Sequence, residues 1–307
     1  MKPNILVIGS TNSDMIIKVP HLPAPGETVL GGEFSIAQGG KGANQAVAAA
    51  RAGGKVTFIS CIGNDSLGKK SLEGLGNEGI DVSSIKIIAG YSSGVALINV
   101  AESGENSISV APGANSMLLP VDIDQLEETI KTAGIILIQL EIPLDTVKCV
   151  IRMAKKHQIP VILNPAPALK LDSTLLSSVD YITPNEQEAA TIAGLDDVGQ
   201  NYKILALALR QMGAKTVIIT LGEKGAFFSS TDGDGIVAGY TVKAVDTTAA
   251  GDTFNGYLAA ALARGNELES AIRFANKAAS LSVTKLGAQP SIPTLSEIES
   301  NIIITTL

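Results

Sequence analysis

The chain contains 307 residues, of which 45 % are hydrophobic and 17 % are charged, and its net charge is −7. This length and composition can bury a sizeable core as one large domain or two ordinary ones, which excludes an intrinsically disordered protein. The acidic balance disfavours a general nucleic-acid binder, and no uninterrupted apolar run reaches the ~18 residues that a bilayer span needs. We therefore expect a soluble cytoplasmic protein that binds neither nucleic acid nor membrane.

Short runs of aliphatic and β-branched residues recur along the chain, and segments with helical composition separate them. Each run is continuously apolar, as in strands of a parallel sheet that is covered on both faces. The predicted strands lie near residues 4, 55, 134, 159, 179 and 215, and the clearest helices span 43–53, 143–158 and 201–213. This alternation predicts an α/β fold with a mainly parallel central sheet.

Two regions break this alternation. Residues 12–38 are rich in proline, glycine and β-forming residues and have no helical period. Residues 91–111 are predicted to form two strands joined by a polar Ser-Gly-Glu-Asn turn. Since neither region fits a crossover helix, both are predicted to project from the main sheet as a small β lid over its carboxyl edge. No Pro-, Ser- or Gly-rich linker divides the chain, so residues 1–307 are predicted to form one domain.

Polar residues follow most of the predicted strands, where the ligands of a doubly wound sheet collect. Any one of these residues could be a helix cap or a turn residue, but together they indicate a binding site. The sets that follow successive strands are residues 10–14, Gln139 with Glu141, Asn185 with Glu186, and residues 221–225.

The stretch GGKGANQ at residues 39–45 precedes a predicted helix. Its glycines allow close backbone approach and positive φ around Lys41, and the amides at a helix start favour oxygen-rich ligands. It is not a Walker A loop, because Gly42 stands where Ser or Thr is required. It also fails the dinucleotide fingerprint, since Gln45 stands where the last glycine belongs. The alternative is a flexible turn with an exposed lysine.

Asp252 is the strongest candidate for a general base. If Ala249, Ala250 and Gly251 turn into a helix near residue 252, their free amides form a small anion hole that suits a phosphoryl group in transfer. A carboxylate beside that hole can accept the proton of an attacking hydroxyl, and the helix N-terminus favours its charged form. The alternative is a simple N-cap aspartate of a buried helix.

Other chemistries find little support in the residues. A Ser-His-Asp or Cys-His system would have to use His21, which lies among prolines. No cluster of His and Cys indicates zinc. Cys61 and Cys149 match no paired metal spacing and are predicted to be small buried hydrophobic residues. The Asp-Gly-Asp-Gly pattern that begins at Asp232 lacks the other ligands of a calcium loop and predicts a hairpin turn.

Several segments resemble the signature segments of the ribokinase family of carbohydrate kinases. The likeness extends in order over essentially the whole chain, and it implies a three-layer α/β sandwich with a mainly parallel sheet and a small β-sheet lid. The matching segments are NSD (12–14), GGKGAN (39–44), NPAP (164–167), TPNE (183–186), TLG (220–222), DTTAAGD (246–252) and KLGAQPS (285–291).

The resemblance implies ATP-dependent phosphorylation of D-ribose at its 5-hydroxyl, with ribose 5-phosphate and ADP as products. Asp252 would be the base, and Gly251, Ala250 and Ala249 would form the anion hole. The residues that would hold the sugar are Asn12, Asp14, Gly40, Lys41, Asn44, Glu141 and Asp252.

The resemblance also implies a nucleotide site and two metal ions. The residues that would contact ATP are Asn185, Thr220, Gly222, Gly225, Gly251 and Asn276. Mg²⁺ would accompany ATP, with Asn185 and Glu186 near its water shell. K⁺ would be the activating monovalent cation, bound mostly through backbone carbonyls of a loop pair. The residues of that pair are Asp246, Thr248, Ser282, Lys285, Gly287 and Ser291.

A homodimer formed through the lid strands is a further implication of the resemblance. Deoxyribokinases and other sugar kinases of the family share nearly all of these motifs, so the choice between ribose and deoxyribose stays open. A sugar-binding regulator without catalysis is a more remote alternative, because such a protein would be expected to lose the base or the anion hole.

Overall fold

The computed structural model describes residues 4–195 and 201–300. Within them the strands are β1 (Asn4–Ile8), β2 (Asn12–Val19), β3 (Phe34–Gly39), β4 (Lys55–Gly63), β5 (Ile85–Ile88), β6 (Gly94–Ala101), β7 (Asn106–Ala111), β8 (Ile135–Ile138), β9 (Val161–Leu163), β10 (Tyr181–Ile182), β11 (Thr216–Thr220), β12 (Ala226–Ser229) and β13 (Asp234–Val237). The helices are α1 (Lys41–Arg51), α2 (Ser66–Asn77), α3 (Pro120–Gln125), α4 (Glu127–Lys131), α5 (Leu144–Lys156), α6 (Ser173–Leu176), α7 (Glu186–Ala193), α8 (Tyr202–Gln211), α9 (Ala250–Ala263), α10 (Leu268–Ser282) and α11 (Leu295–Ser300).

The main sheet has nine strands among the described residues, in the order β13-β12-β11-β10-β9-β8-β1-β4-β5. The six strands predicted from apolar runs are β1, β4, β8, β9, β10 and β11, and each pairs in parallel with its neighbours among them. Only β12, near one edge, runs against the other strands, and it pairs antiparallel with both β11 and β13. The predicted mainly parallel α/β fold is confirmed.

Helices cover both faces of the main sheet, because its central strands are apolar at every position. Along β1, Ile5 and Val7 belong to a cluster with α1, α9 and α10, whereas Leu6 and Ile8 belong to a cluster with α5 on the opposite face. All four side chains are at most 2 % exposed. The three-layer sandwich is therefore confirmed, and the two faces explain why the strand pattern does not alternate.

A second sheet of four strands, in the order β3-β2-β6-β7, stands apart from the main sheet. The two regions that break the helical alternation supply all four of its strands. Strands β2 and β6 pair in parallel from Asn12 opposite Gly94 to Val19 opposite Ala101. The outer strands β3 and β7 pair antiparallel to these two. This sheet is the predicted β lid.

The base of the lid is anchored by Asn115, which is fully buried. Its Oδ1 accepts a hydrogen bond from the Thr11 amide at 2.9 Å, and its Nδ2 donates to the Thr11 carbonyl at 3.1 Å and to Asn12 Oδ1 at 2.8 Å. A Cβ at Gly94 would lie 2.2 Å from Asn12 Oδ1, so only glycine leaves room for this contact. The lid therefore joins the main sheet at a buried junction that is held by the hydrogen bonds of Asn115.

Two smaller predictions are also confirmed. Cys61 and Cys149 are buried free thiols, and burial raises the pKa of Cys61 to about 12. The segment that begins at Asp232 is the turn of the β12–β13 hairpin, closed by a hydrogen bond from the Ser230 amide to the Gly233 carbonyl at 3.0 Å. Among residues 4–195 and 201–300, no helix is long and apolar enough to cross a membrane.

Candidate active site

Four carboxylates surround one lysine where the lid meets the carboxyl ends of the main-sheet strands. Burial by itself would lower the pKa of Lys41, but the charges of the four carboxylates raise that pKa above its ordinary value. In order of decreasing influence, they are Asp252, Glu141, Glu188 and Asp14. The topology brings them together, since they come from α9, from the segment after β8, from α7 and from β2.

Asp14 is the lid's contribution to this cluster, and it is 8 % exposed. Burial, and then the negative charges of Glu141 and Asp252, raise the pKa of Asp14 to about 6, against the opposing effect of Lys41. A Cβ at Gly39 would lie 2.2 Å from Asp14 Oδ2, so the glycine of the neighbouring strand leaves space for this carboxylate.

Glu141 is fixed against the start of α1. Its Oε2 accepts hydrogen bonds from the Ser10 hydroxyl at 2.5 Å and from the Lys41 amide at 3.1 Å. The helix N-terminus favours negative charge at this place. Gly40 precedes the helix with φ 89, and a Cβ there would lie 2.6 Å from the Asn12 amide nitrogen. The predicted sugar residues of the lid and of the glycine loop therefore lie in direct contact.

Several polar side-chain atoms of this pocket have no hydrogen-bond partner among the described residues, and two of them belong to asparagines. Asn44 Oδ1 is a buried acceptor without a partner. Asn12 Nδ2 donates to no described residue, because Asn115 binds only the Oδ1 of that side chain. A free acceptor and a free donor beside several carboxylates suit a ligand that carries several hydroxyl groups.

Asp252 lies in the first turn of α9 and is 8 % exposed. Its Oδ2 accepts a hydrogen bond from Asn44 Nδ2 at 2.9 Å, and its Oδ1 accepts one from Gln45 Nε2 at 2.9 Å. Both donors lie on α1, which approaches α9 closely because Gly256 has no side chain. A Cβ at Gly256 would lie 2.4 Å from the Ala48 Cβ. Close packing of two helices thus sets the carboxylate.

The turn before Asp252 provides free backbone amides. Ala249 adopts the left-handed conformation, with φ 59 and ψ 13, which costs a non-glycine residue about 1–2 kcal/mol. The amides of Gly251 and Asp252 donate to no described residue, whereas the Ala250 amide donates to the Thr247 carbonyl at 3.2 Å. The Ala250 amide was predicted to belong to the anion hole, but it already donates a hydrogen bond and is not free to bind an anion.

A cavity of about 490 Å³ opens on the other side of this turn. Its walls come from the end of β11, the segment after β13, the start of α9 and the body of α10. Five of the six predicted nucleotide residues line it: Thr220, Gly222, Gly225, Gly251 and Asn276. A Cβ at Gly251 would meet no atom within 4 Å, so backbone at this position is open to a ligand.

Two predicted nucleotide residues also have structural tasks. Asn276 Nδ2 donates to the Val237 carbonyl at 2.9 Å, which ties α10 to the end of β13. Asn185 does not line the cavity; its Oδ1 caps α7 by accepting from the Glu188 amide at 2.8 Å. Glu188 Oε2 in turn accepts from the Asn185 amide at 2.8 Å. This reciprocal pair is a capping box.

Glu188 belongs to the charged cluster around Lys41, and the sequence analysis named its neighbour Glu186 instead. Burial raises the pKa of Glu188, assisted by the charge of Asp252 and opposed by the hydrogen bond from Asn185 and by Lys41. These charges show that Glu188 faces the carboxylate cluster. The capping-box spacing Asn-x-x-Glu was the available signal, because it turns the third residue back toward the strand end.

The predicted cation residues form one loop pair at the far end of the same turn. Asp246 Oδ1 accepts from the Thr248 hydroxyl at 2.6 Å and from its amide at 2.9 Å, and Oδ2 accepts from the Gly287 amide at 2.8 Å. Burial opposes ionisation, but these three bonds hold the pKa of Asp246 below its ordinary value. Ser282 and Ser291 instead use their hydroxyls to bond Ala279 and Ala288.

Comparison with known proteins identifies the family. The pfkB family carbohydrate kinase pattern matches residues 2–295. The chain belongs to the pfkB family of carbohydrate kinases. A ribokinase from Haemophilus influenzae is 48 % identical over 298 residues, which cover 97 % of both chains. A deoxyribokinase from Salmonella typhi is 39 % identical, over 96 % of this chain and 97 % of that relative.

The fold comparison agrees with the family assignment. The structure of Arabidopsis thaliana ribokinase complexed with ribose and ATP matches with a TM-score of 0.90 at 32 % identity, over 97 % of this chain and 98 % of that one. The architecture described above is therefore the ribokinase fold.

Proposed function

We propose that this pfkB kinase transfers the γ-phosphoryl group of ATP to the 5-hydroxyl of D-ribose. The observation that carries the proposal is the position of Asp252. Its carboxylate lies on the polar pocket side of a turn whose Gly251 lines the 490 Å³ cavity. The relatives named above include ribokinases, and one structure holds ribose and ATP together.

In the proposed reaction, ribose occupies the carboxylate-rich pocket, and ATP occupies the cavity lined by Thr220 and Asn276. Asp252 accepts the proton of the 5-hydroxyl while the oxygen of that hydroxyl attacks the γ-phosphorus of ATP. ADP is the leaving group. Charge that develops on the transferring group is stabilised by the free amides of Gly251 and Asp252 at the start of α9. The barrier is lowered mainly by positioning and by electrostatic stabilisation, as in other phosphoryl transfers.

Lys41 has two roles in this proposal, as a positive charge and as a hydrogen-bond donor. Its pKa is raised, so the ammonium group stays protonated throughout the physiological range. It offsets the mutual repulsion of the four carboxylates, and it is a donor for the sugar hydroxyls. The free atoms Asn12 Nδ2 and Asn44 Oδ1 complete a set of donors and acceptors for a pentose.

Mg²⁺ is proposed to accompany ATP, as in kinases that bind the ion through phosphates, waters and one or two carboxylates. Glu186 and Glu188 fit this requirement, because both lie in the first turn of α7 and neither forms an ion pair with a described residue. The Asn185 side chain is used as a cap and would act through water. When bound, the ion neutralises charge on the phosphates.

K⁺ is proposed to bind the loop pair that contains Asp246 and Gly287. Of the six predicted cation residues, five have a backbone carbonyl that accepts no hydrogen bond from any described residue, and oxygen donors of this type suit a hard monovalent cation. They are Asp246, Thr248, Lys285, Gly287 and Ser291. A cation there would order the backbone that leads from Asp246 to the free amides.

A homodimer through the lid is proposed for the assembled enzyme. Large apolar side chains are exposed on both faces of the lid, and groups of such side chains in monomeric proteins are unusual outside interaction sites. They are Phe34, Ile36, Leu97, Ile108 and Val110, between 47 % and 61 % exposed. Because ATP is supplied in the cytoplasm, that compartment is also the proposed location.

A deoxyribokinase is the second candidate function, and the 39 % identical relative from Salmonella typhi favours its consideration. The two candidates differ only at the sugar 2-position, so kcat/KM for ribose relative to deoxyribose decides between them. A sugar-binding regulator is disfavoured by the intact base and free amides, and ADP release that depends on the sugar would eliminate it.

The proposed base is tested by Asp252→Asn. We expect kcat to fall by at least ~10²-fold, because proton transfer is lost, while the KM for ribose changes little. A coupled ADP assay in K⁺ with ribose as substrate measures both constants. Asp232→Asn in the exposed hairpin turn is the matched control and should keep wild-type kinetics. Near-normal turnover of Asp252→Asn would remove Asp252 from the mechanism.

A further inference from the structure

Gln45 belongs to a buried chain of side-chain amides behind Asp252. It is fully buried, and its Nε2 donates to Asp252 Oδ1 and to Asn164 Oδ1, both at 2.9 Å. Gln139 is also fully buried, and its Nε2 donates to Gln45 Oε1 at 2.6 Å. Asn164 Nδ2 donates to the Thr183 carbonyl at 3.2 Å. The chain therefore connects the carboxylate to the ends of β8, β9 and β10.

The direction of every hydrogen bond in this chain is fixed by its two ends. A main-chain carbonyl and an ionised carboxylate can only accept. Asn164 must therefore turn its amino group to the Thr183 carbonyl, which leaves its Oδ1 as an acceptor. Gln45 must then donate both of its amide protons, one to Asn164 and one to Asp252, and its Oε1 can only accept from Gln139.

This arrangement of hydrogen bonds leaves one acceptor unpaired, at the end of the row of amides that is farthest from Asp252. Gln139 Oε1 is buried and has no hydrogen-bond partner among the described residues. An unpartnered buried acceptor is unfavourable, because it has lost its hydrogen bond to water. In the same arrangement, Gln45 donates a hydrogen bond to Asp252 Oδ1. Asn44 holds the other carboxylate oxygen, so neither oxygen can rotate without losing a charge-assisted hydrogen bond.

We propose that Gln45 is the positioning residue of the catalytic base, and that it holds the Asp252 carboxylate in the orientation that meets the attacking hydroxyl. This inference rests on the proposed role of Asp252. Gln45 lies behind the carboxylate in the chain to Gln139 and Asn164, so it acts through Asp252. It is assigned no contact with the sugar.

Two substitutions at Gln45 separate orientation from charge. Gln45→Met keeps the volume of the side chain and removes its donors, so the carboxylate loses one of its two hydrogen bonds. Gln45→Glu keeps the shape and places a second carboxylate at the position now 2.9 Å from Asp252 Oδ1. Two carboxylates at that distance share a proton over a pH range in which a single carboxylate is ionised.

Three other charged groups face Asp252. These are Lys41 on α1, Asp14 on the lid and Glu188 on α7. All three are unchanged in both variants, so a difference between variant and wild-type pH profiles reports on residue 45. Gln211→Glu, at the exposed end of α8, adds the same charge far from the site and is the matched control.

The experiment measures kcat, KM for ribose and the pH dependence of kcat/KM for all four proteins, with thermal unfolding as the check on folding. We expect Gln45→Met to lower kcat by roughly tenfold, as for the loss of about 1.4 kcal/mol of transition-state stabilisation, with KM changed by less than about threefold. We expect Gln45→Glu to move the acidic limb of the profile upward by about one pH unit or more. Gln211→Glu should match the wild type in both.

A purely structural role would lower the unfolding temperature of the Gln45 variants and leave the acidic limb in place. Folded Gln45→Glu with an unmoved limb, or Gln45→Met with kcat within twofold of wild type, would overturn the inference. If Asp252→Asn is inactive in the same assay while both Gln45 variants behave like wild type, only the positioning role fails. If Asp252→Asn is active, the proposed base itself fails.

Discussion

At the level of single residues, the site is a cluster of buried carboxylates around Lys41 whose charges act on one another. The four carboxylates around Lys41 keep it protonated, and burial together with the neighbouring carboxylates raises the pKa of Asp14 to about 6. A carboxyl group with a pKa of about 6 is ionised only above that pH. Asp14 has no hydrogen-bond donor among the described side chains, so its charge is unfavourable for folding and is available to a ligand.

The pKa of Asp14 predicts opposite effects on stability and on binding. Its pKa is about 6 in the native state and 3.8 as a free group, so between these values the native state binds more protons than the unfolded state. Stability then falls as pH rises through this window, by about 2–3 kcal/mol at most. We expect Asp14→Asn to be more stable than wild type at pH 8, by about 1–3 kcal/mol, and equally stable near pH 4.

Urea unfolding of Asp14→Asn and wild type at pH 4 and pH 8 measures this difference, with Asp232→Asn as the exposed control. For wild type, the KM for ribose should rise as pH falls through 6, because protonated Asp14 no longer accepts two hydrogen bonds from sugar hydroxyls. A stability difference that does not depend on pH would contradict the proposed burial of the charge.

At the scale of elements, the first turn of α9 is held from two sides. From α1, Asn44 and Gln45 bind the carboxylate of Asp252. From the end of β10, the Thr183 hydroxyl donates to Asn255 Oδ1 at 2.6 Å, and Asn255 Nδ2 donates to the Gly251 carbonyl at 2.8 Å. The peptide that leads into the free amides is thus tied to the central sheet rather than to the loop before it.

Thr183→Val tests this connection. The substitution keeps the shape and leaves Asn255 Oδ1 buried without its donor, so we expect a loss of about 1–3 kcal/mol of stability. Because Asn255 then no longer fixes the Gly251 peptide, kcat/KM for ATP should also fall roughly fivefold or more, equivalent to about 1 kcal/mol. Thermal unfolding and the coupled ADP assay measure the two effects.

The matched control for Thr183→Val is Thr146→Val in α5. Thr146 is fully buried, and its hydroxyl donates to the Leu118 carbonyl at 2.6 Å, on the opposite side of the sheet from α9. This variant should lose comparable stability and keep its kinetic constants. Equal kinetic losses in both variants would mean that the effect on ATP follows from general destabilisation.

At the level of the whole molecule, the lid contributes residues to the pocket at its base and exposes apolar side chains farther along. Near its base it contributes Asn12 and Asp14 to the pocket and is anchored by Asn115. Farther along, Ile108 and Val110 on the edge strand β7 are 55 % and 49 % exposed. Since Val110 is in register with Ala96 and Ala96 with Asp14, these side chains share the face that covers the sugar pocket.

Ile108→Glu tests whether this face forms the proposed dimer interface. A buried unpaired carboxylate is costly, so we expect sedimentation velocity to change from a dimer to a monomer at micromolar concentration. Leu207→Glu on α8 is the control, because Leu207 is similarly exposed, at 58 %, but lies outside the lid. A wild-type monomer, or an unchanged dimer in Ile108→Glu, would reject this face as the interface.

Much of the fold followed from local pattern. The six apolar runs became the parallel strands because strands buried on both faces have no reason to alternate, and the three clearest helices lie within a few residues of their predicted bounds. The glycine loop and the turn before Asp252 were also predictable, because only glycine or a strained residue allows such close backbone approach. Ala249 bears that strain.

The arrangement of the polar groups around the base could not be predicted from local pattern. Gln45, Gln139 and Asn164 are ordinary amides in the sequence, and they become one chain of hydrogen bonds only because α1 packs against α9 and the strand ends meet. The sequence analysis named Glu186 rather than Glu188 because both are acids in one helical turn, and the direction of a side chain depends on packing. Apolar runs, glycines and acids at strand ends are enough to predict the scaffold and the residues that the chemistry requires. Their partners were decided by contacts between residues distant along the chain, which no local pattern records.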